Sequence, residues 1–219
     1  MTGRGTDETR RVTGRGADAG RVIAGSARGV RLIAPGPGTR PLADRVKETL
    51  FAILEPDLRA ARVLDLFAGS GAAGIEALSR GAAAAVFVDR DRGALVVIEA
   101  NLRRARIDPS RARVIRADVP GWLADPASAS GGHFDVVIAD PPYDDQAALL
   151  ASLRRLGDPS GALRLLAPGS RVVAKHHWRS APPGTIGLLA SERERRFGDT
   201  ALTFYRYTRG EPAAGEEGR

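Results

Sequence analysis

The chain has 219 residues, 43% of them hydrophobic, with a formal net charge of +7, a length and composition that suit one full core with a small appendage. No apolar run approaches the roughly 20 residues of a membrane span, and residues 1–20 lack the apolar stretch of a signal peptide. There is no cysteine, which excludes disulfides and thiolate-bound zinc and suits a cytoplasmic protein.

The charge is unevenly placed. Between Met1 and Lys47 ten basic residues face four acidic ones (Asp7, Glu8, Asp18, Asp44), so this stretch carries +6 of the total +7. A basic end on a nearly neutral body reads as a footprint for a polyanion, although a general preference for arginine in the coding sequence gives the same count. Residues 1–20 hold little to bury and read as a disordered basic tail. Arg21–Gly25 and Val30–Ala34 flank a glycine-rich turn and read as a hairpin. After a Pro/Gly stretch, Val46, Leu50, Ile53 and Leu54 share one face of a helix that Asp44 is placed to cap and Pro56 to help stop. Residues 21–56 thus form an N-terminal extension of hairpin and helix.

From residue 57 to 208 the pattern becomes alternating strand and helix. Strands are expected at Arg62–Leu66, Ala84–Val88, Arg113–Arg116, Phe134–Ala139 and Ser170–Ala174, and helices at Ala72–Arg80, Arg92–Ala105 and Asp145–Leu156. Strands apolar on both faces and separated by helices indicate an α/β fold with a mostly parallel sheet covered on both sides. Leu188–Arg196 and Ala201–Tyr207 flank Gly198-Asp199 and read as an antiparallel hairpin at the sheet edge. Residues 209–219 read as a flexible tail.

The first strand of the alternating region runs into Asp65-Leu66-Phe67-Ala68-Gly69-Ser70-Gly71-Ala72-Ala73-Gly74, a GxGxxG turn where the backbone can approach a ligand. Asp89 ends the next strand, where a carboxylate can accept both hydroxyls of a ribose. These features alone also describe a dinucleotide site. Asp65 shifts the balance, because its charge beside the head group would repel a pyrophosphate and attract an ammonium. Asp118, after the third strand, is placed to accept an adenine amino group or to cap the following turn. Asn101 has no assigned role.

Asp140-Pro141-Pro142-Tyr143 follows the fourth strand, at the edge where open α/β sheets react. An exocyclic amine is planar because its lone pair is delocalised into the heterocycle. Asp140 and the Pro141 carbonyl form an acceptor pair that can take both N–H groups and aim the lone pair. The prolines stiffen the turn and remove donors, and Tyr143 offers a face for an extruded base. His133, His176 and His177 lack metal-site spacing, so no metal is expected.

With these residues in place the chain resembles the class I S-adenosylmethionine-dependent methyltransferases, and within them the bacterial 16S rRNA guanine-N2 methyltransferases of RsmD type. The segments that carry the resemblance are Arg21–Gly25, Arg40-Pro41, Asp44–Phe51, Val63–Gly71, Asp140–Tyr143 and Phe197–Thr200, spanning Arg21 to Tyr207. It implies a Rossmann-like, seven-stranded sheet with a reversed final strand. It also implies S-adenosylmethionine as cofactor and a guanine N2 in 16S rRNA as acceptor, met within an assembling small ribosomal subunit. On this reading Asp65, Phe67, Gly69, Gly71, Asp89 and Asp118 hold the cofactor, and Asp140, Pro141 and Tyr143 are catalytic. Arg21, Arg28, Arg31, Arg40, Arg45 and Lys47 contact RNA, and the protein is a monomer that does not engage membranes. Two departures stand out: Leu42 and Ala43 replace common threonines, and Lys175-His176-His177-Trp178 replaces a stretch that is often acidic. A DNA adenine-N6 methyltransferase, a glutamine-N5 protein methyltransferase, an NAD-dependent oxidoreductase and a silent RNA-binding module are the competing readings.

Overall fold

The computed structural model of the protein describes residues 18–36, 42–129, 131–158 and 165–208. The expectations for Arg40, residues 1–17 and residues 209–219 lie outside them. The first elements are β1 (Asp18–Arg21), β2 (Arg31–Ile33) and α1 (Asp44–Leu58). The antiparallel β1–β2 pair confirms a hairpin, but its first strand starts inside the expected tail. The cause is packing: Ala19 and Val22 are buried in the core, and Asp18 pairs with Arg31 across the ladder.

α1 presents Val46, Leu50, Phe51, Leu54 and Leu58 to the core. Two local expectations fail here. Asp44 makes no side-chain cap; it lies in the helix's first turn and pairs with Arg21 and Lys47, each at 3.3 Å. Pro56 lies inside the helix, which continues to Leu58. A proline in the last turn forfeits one backbone bond, and burial of Leu58 offsets that loss.

The alternating region gives β3 (Arg62–Leu66), α2 (Ala72–Ser79), β4 (Ala84–Asp89), α3 (Arg92–Arg104), β5 (Ala112–Arg116), α4 (Val119–Ala124), β6 (Phe134–Ala139), α5 (Gln146–Leu156) and β7 (Leu166–His177). β8 (Thr185–Ile186), β9 (Leu189–Phe197) and β10 (Thr200–Tyr207) complete the sheet. The strand order is β5-β4-β3-β6-β7-β10-β9-β8, parallel from β5 to β7 and antiparallel beyond. The sheet has eight strands, not seven, because β8 pairs with β9 and adds a two-residue edge. α4 is not among the helices expected from the sequence. Pro120 sits in the first turn, where an N–H has no partner within the helix.

Leu50, Phe51, Ile75, Phe87 and Ile98 belong to the core on the face covered by α1–α3, and Leu123, Val137, Leu149 and Tyr205 to the core opposite. Among the described residues no helix is long and apolar enough to cross a membrane. The hairpin is fastened to the first of these faces by buried polar groups. Glu76 accepts the N–H groups of Ile23 and Ala24 at 2.7 and 3.0 Å, and Ser79 Oγ accepts that of Ala27 at 2.9 Å. β3 and β6 are parallel neighbours, but successive strands are laid outward from β3 to β5 on one side and from β6 to β7 on the other, and this switch of strand order opens a crevice at the carboxyl ends of the strands.

Candidate active site

A cavity of about 610 Å³ opens at that switch point, within the range of small-molecule sites. Its floor is the β3–α2 turn. Phe67, Gly69 and Gly71 have φ of 58°, 54° and 74°, and Gly71 is the left-handed N-cap of α2. Gly74 serves another need: a Cβ there would lie 2.3 Å from the Phe87 ring, so α2 lies against β4 because that position has no side chain. The buried Asn101 holds the turn from behind. Its Nδ2 donates to the carbonyls of Ser70 at 2.9 Å and Ile33 at 2.8 Å, and its Oδ1 accepts the Ile33 N–H at 2.9 Å.

Asp65, at the end of β3, is almost wholly buried, and its Oδ2 accepts the Gly74 N–H at 2.8 Å. Burial pushes its carboxyl well above the usual carboxylate range. The Gly74 hydrogen bond opposes that rise, and the nearby charges of Asp140 and Asp89 add to it. The expectation of a fixed negative charge is thereby modified, since burial favours the neutral carboxyl.

Asp89 lines the cavity at the end of β4. Its Oδ2 accepts the Gly69 N–H at 2.8 Å and its Oδ1 the Asp91 N–H at 2.9 Å. Each oxygen keeps lone-pair capacity for a ligand hydroxyl. Asp91 caps α3 by accepting the Ala94 N–H at 3.0 Å. Asp118 caps α4 through the Gly121 N–H at 3.1 Å, as one of its two readings expected, and it also lines the cavity.

Asp140, Pro141, Pro142 and Tyr143 form the opposite wall. Asp140 Oδ1 is engaged by the Lys175 ammonium from β7, and the Tyr143 hydroxyl bonds Thr200 Oγ1 at the start of β10. Lys175 also lies 5.1 Å from the Tyr143 ring centre. Reading the sequence did not place Lys175 or Thr200 in the site. The signal was present, because Lys175 stands in one departure from the family pattern and Thr200 ends one of its shared segments. Pro35, Gly36 and Leu42 bring the N-terminal extension to the cavity rim.

The wall carries seven aspartates (Asp65, Asp89, Asp91, Asp118, Asp140, Asp144, Asp145) against two cations. Both cations are engaged, Lys175 with Asp140 and Arg90 with Asp145 at 3.7 Å. Such a lining suits a ligand bearing positive charge and penalises a pyrophosphate.

The arginines expected to meet RNA are scattered in role. Arg28 and Arg45 are exposed and have no ion pair among the described residues. Arg21 and Arg31 are exposed but paired with Asp44 and Asp18. Lys47 corrects the expectation: its side chain is fully buried, donates to the Arg21 carbonyl at 2.5 Å and pairs with Asp44. An ammonium enclosed in that way fastens the hairpin to α1 and does not reach a phosphate.

The family model described as Conserved hypothetical protein 95 matches residues 20–206. The YlbH protein of Bacillus subtilis (strain 168), provisionally named an rRNA methyltransferase, is 38% identical over 187 residues, 85% of this chain and 98% of its own. Ribosomal RNA small subunit methyltransferase D of Escherichia coli (strain K12) is 35% identical over 186 residues, 84% of this chain and 88% of its own. The solved structure of the yhhF protein of Escherichia coli, provisionally titled a methyltransferase, matches with a TM-score of 0.74 at 31% identity. That match covers 86% of this chain and 98% of the yhhF chain.

Proposed function

Because the chain belongs to the Conserved hypothetical protein 95 family, together with ribosomal RNA small subunit methyltransferase D, we propose that it is an S-adenosylmethionine-dependent rRNA methyltransferase. The acceptor is the exocyclic N2 of a guanine in 16S rRNA, within an assembling small ribosomal subunit. The observation that carries the reading is the pairing of an aspartate-lined cavity with Asp140-Pro141-Pro142-Tyr143 on its wall.

The residues present fit the cofactor. Asp65, poised to ionise, receives the ammonium of the methionyl group, beside the turn of Phe67, Gly69 and Gly71. Asp89, fixed by two backbone N–H groups, accepts the ribose hydroxyls, and the remaining capacity of Asp118 serves the adenine amino group. When bound, S-adenosylmethionine would supply an electrophilic methyl group, its sulfonium becoming a thioether as the methyl leaves, and the proton lost by the amine would pass by way of the second Asp140 oxygen to solvent.

The chain's own part is to bind and orient. Asp140 and the Pro141 carbonyl accept the two N–H groups of the amine, which favours pyramidal nitrogen with its lone pair directed into the cavity. Tyr143, anchored through Thr200, gives the extruded base a face to stack on. Lys175 fixes the Asp140 carboxylate through one oxygen, leaving the other to meet the substrate. Orientation of this kind supplies a large part of the rate without covalent catalysis.

The test is incubation with methyl-labelled S-adenosylmethionine and, separately, under-methylated small subunits, naked rRNA and DNA, with the label then mapped. Label at a guanine N2 of 16S rRNA is expected. Label on DNA adenine would replace this reading with the DNA-directed one.

A further inference from the structure

β7 carries the chain past the cavity wall to His177, and Trp178 follows at the same edge of the sheet from which the cavity opens. A row of rings leads outward from the site. Tyr143 meets His177 edge-on, with centroids 6.1 Å apart and planes at 82°, and His177 lies 6.3 Å from Trp178. The Arg196 guanidinium stands 3.6 Å from the Trp178 ring centre and that of Arg179 4.8 Å away.

The backbone around the indole is fixed. The Trp178 N–H donates to the Asp199 carbonyl at 3.0 Å, and Arg196 Nε donates to the Gly198 carbonyl at 2.9 Å. The Arg179 N–H donates to His177 Nδ1 at 3.2 Å. Trp178 is half-buried, while Arg179 and Arg196 are exposed. Among the described residues neither arginine has an ion-pair partner, and the same holds for the exposed Arg193 and Arg195 of β9. Arg171 and Arg206, in the same sheet, show the contrast: Asp57 and Glu192 hold the first, and Glu192 the second.

A half-buried indole layered with two exposed, unneutralised guanidinium groups is suited to a partner that is flat and anionic. A nucleotide is both: its base extends the stack of guanidinium planes and indole, and its phosphates meet the arginines. We propose that Trp178, Arg179 and Arg196 form a platform for a single-stranded RNA nucleotide that neighbours the one held in the cavity. The inference rests on the rRNA reading above. It adds a second RNA-contact surface, separate in the chain from the basic N-terminal segment, and its indole belongs to the stretch that departs from the family pattern. Its chemical sense is that a base drawn into the cavity leaves its neighbour unstacked, and the platform takes up that exposed face.

The chain has two tryptophans, Trp122 and Trp178, so Trp122→Phe leaves Trp178 as the single indole reporter. Titrating that full-length variant with a single-stranded RNA of about 12 nucleotides should quench its emission saturably, and salt should reverse the quenching. In the otherwise native chain, Trp178→Ala should weaken RNA binding about ten-fold, and Trp178→Phe should restore part of it. Arg179→Gln with Arg196→Gln should flatten the dependence of log affinity on log salt by about 1.4, or 0.7 per lost contact. S-adenosylmethionine affinity should not change in any of them. If Trp178→Ala lowers the melting temperature, Trp178→Phe and the arginine pair decide the matter. Native RNA binding with no Trp178 quenching and an unchanged salt slope in the arginine pair would overturn the platform while leaving the rRNA reading intact. Absence of binding of this single strand by the wild type would overturn the platform, while the rRNA reading stands or falls on where the methyl label is mapped. Quenching by polyglutamate and not by RNA would assign the surface to an acidic protein instead.

Discussion

Asp65 Oδ2 accepts the backbone N–H of Gly74 at 2.8 Å from a side chain that is almost wholly buried, which ties the end of β3 to the first turn of α2. The carboxyl is held well above its ordinary value near 3.8, so over the interval between the two the folded protein keeps a proton that the unfolded chain has released. Stability from this source is complete below the ordinary value and is lost as pH rises through the folded one. An ammonium ligand reverses the preference, so affinity for S-adenosylmethionine should rise with pH over the same interval and binding should release a proton. Asp65→Asn keeps an acceptor for Gly74 but cannot ionise. It should gain in melting temperature relative to the wild type as pH rises, and it should bind S-adenosylmethionine weakly with no proton release. Calorimetry in two buffers of different ionisation enthalpy reads that proton; an identical binding enthalpy in both would exclude the role given to Asp65.

Asp140 and Lys175 should separate binding from turnover. Asp140→Ala removes an acceptor for the amine, and single-turnover methyl transfer should fall by about 10²–10³, the range for loss of one preorganised polar group. Lys175→Met should slow transfer about ten-fold, because the Asp140 carboxylate loses its charge-assisted partner. The same change makes the cavity more negative, so affinity for the cationic cofactor should hold or increase. A Lys175→Met enzyme with normal transfer and weakened cofactor binding would reverse these assignments.

Asn101 joins the hairpin to the glycine turn through three hydrogen bonds made by a buried amide. Asn101→Ala removes all three and should cost roughly 3 kcal/mol, at about 1 kcal/mol each. Cofactor affinity should fall with it, since the Ser70 carbonyl is one of the three groups released. Urea denaturation measures the first effect and calorimetric titration the second. A loss under about 0.5 kcal/mol, typical of a neutral surface change, would show that the network is not a structural tie.

Among the described residues of the N-terminal extension, Arg28 and Arg45 are the exposed cations expected to contact RNA that have no ion pair, because Lys47 is buried and Arg21 and Arg31 are paired. Arg28→Gln with Arg45→Gln should reduce the slope of log RNA affinity against log salt by about 1.4 on single-stranded RNA. The matching Arg21→Gln and Arg31→Gln pair should do less. Binding measured across a salt series decides this, and equal slopes in all three proteins would return the basic N-terminal segment to a matter of composition.

Much of this protein was legible in its sequence because local rules fix what they describe. Apolar strands alternating with helices gave a parallel sheet, the glycines marked the turn that needs positive φ, and Asp140–Tyr143 marked a strand end where reactions occur. Those features depend on neighbours in the chain and on residue size, which a sequence displays directly. What only the tertiary structure decided were relationships across long separations. Pro56 reads as a stop, yet α1 continues because Leu58 finds a core to enter. Lys47 reads as a surface cation, yet Asp44 and the Arg21 carbonyl enclose it. Asp65 reads as a charge, yet burial together with the fields of Asp140 and Asp89 raises its proton affinity. Lys175 reaches Asp140 only because β7 lies beside β6, 35 residues on in the chain. Solvation and electrostatic fields sum over everything nearby in space, so the identity of a residue can be read from the chain while its charge state and partner wait on the fold.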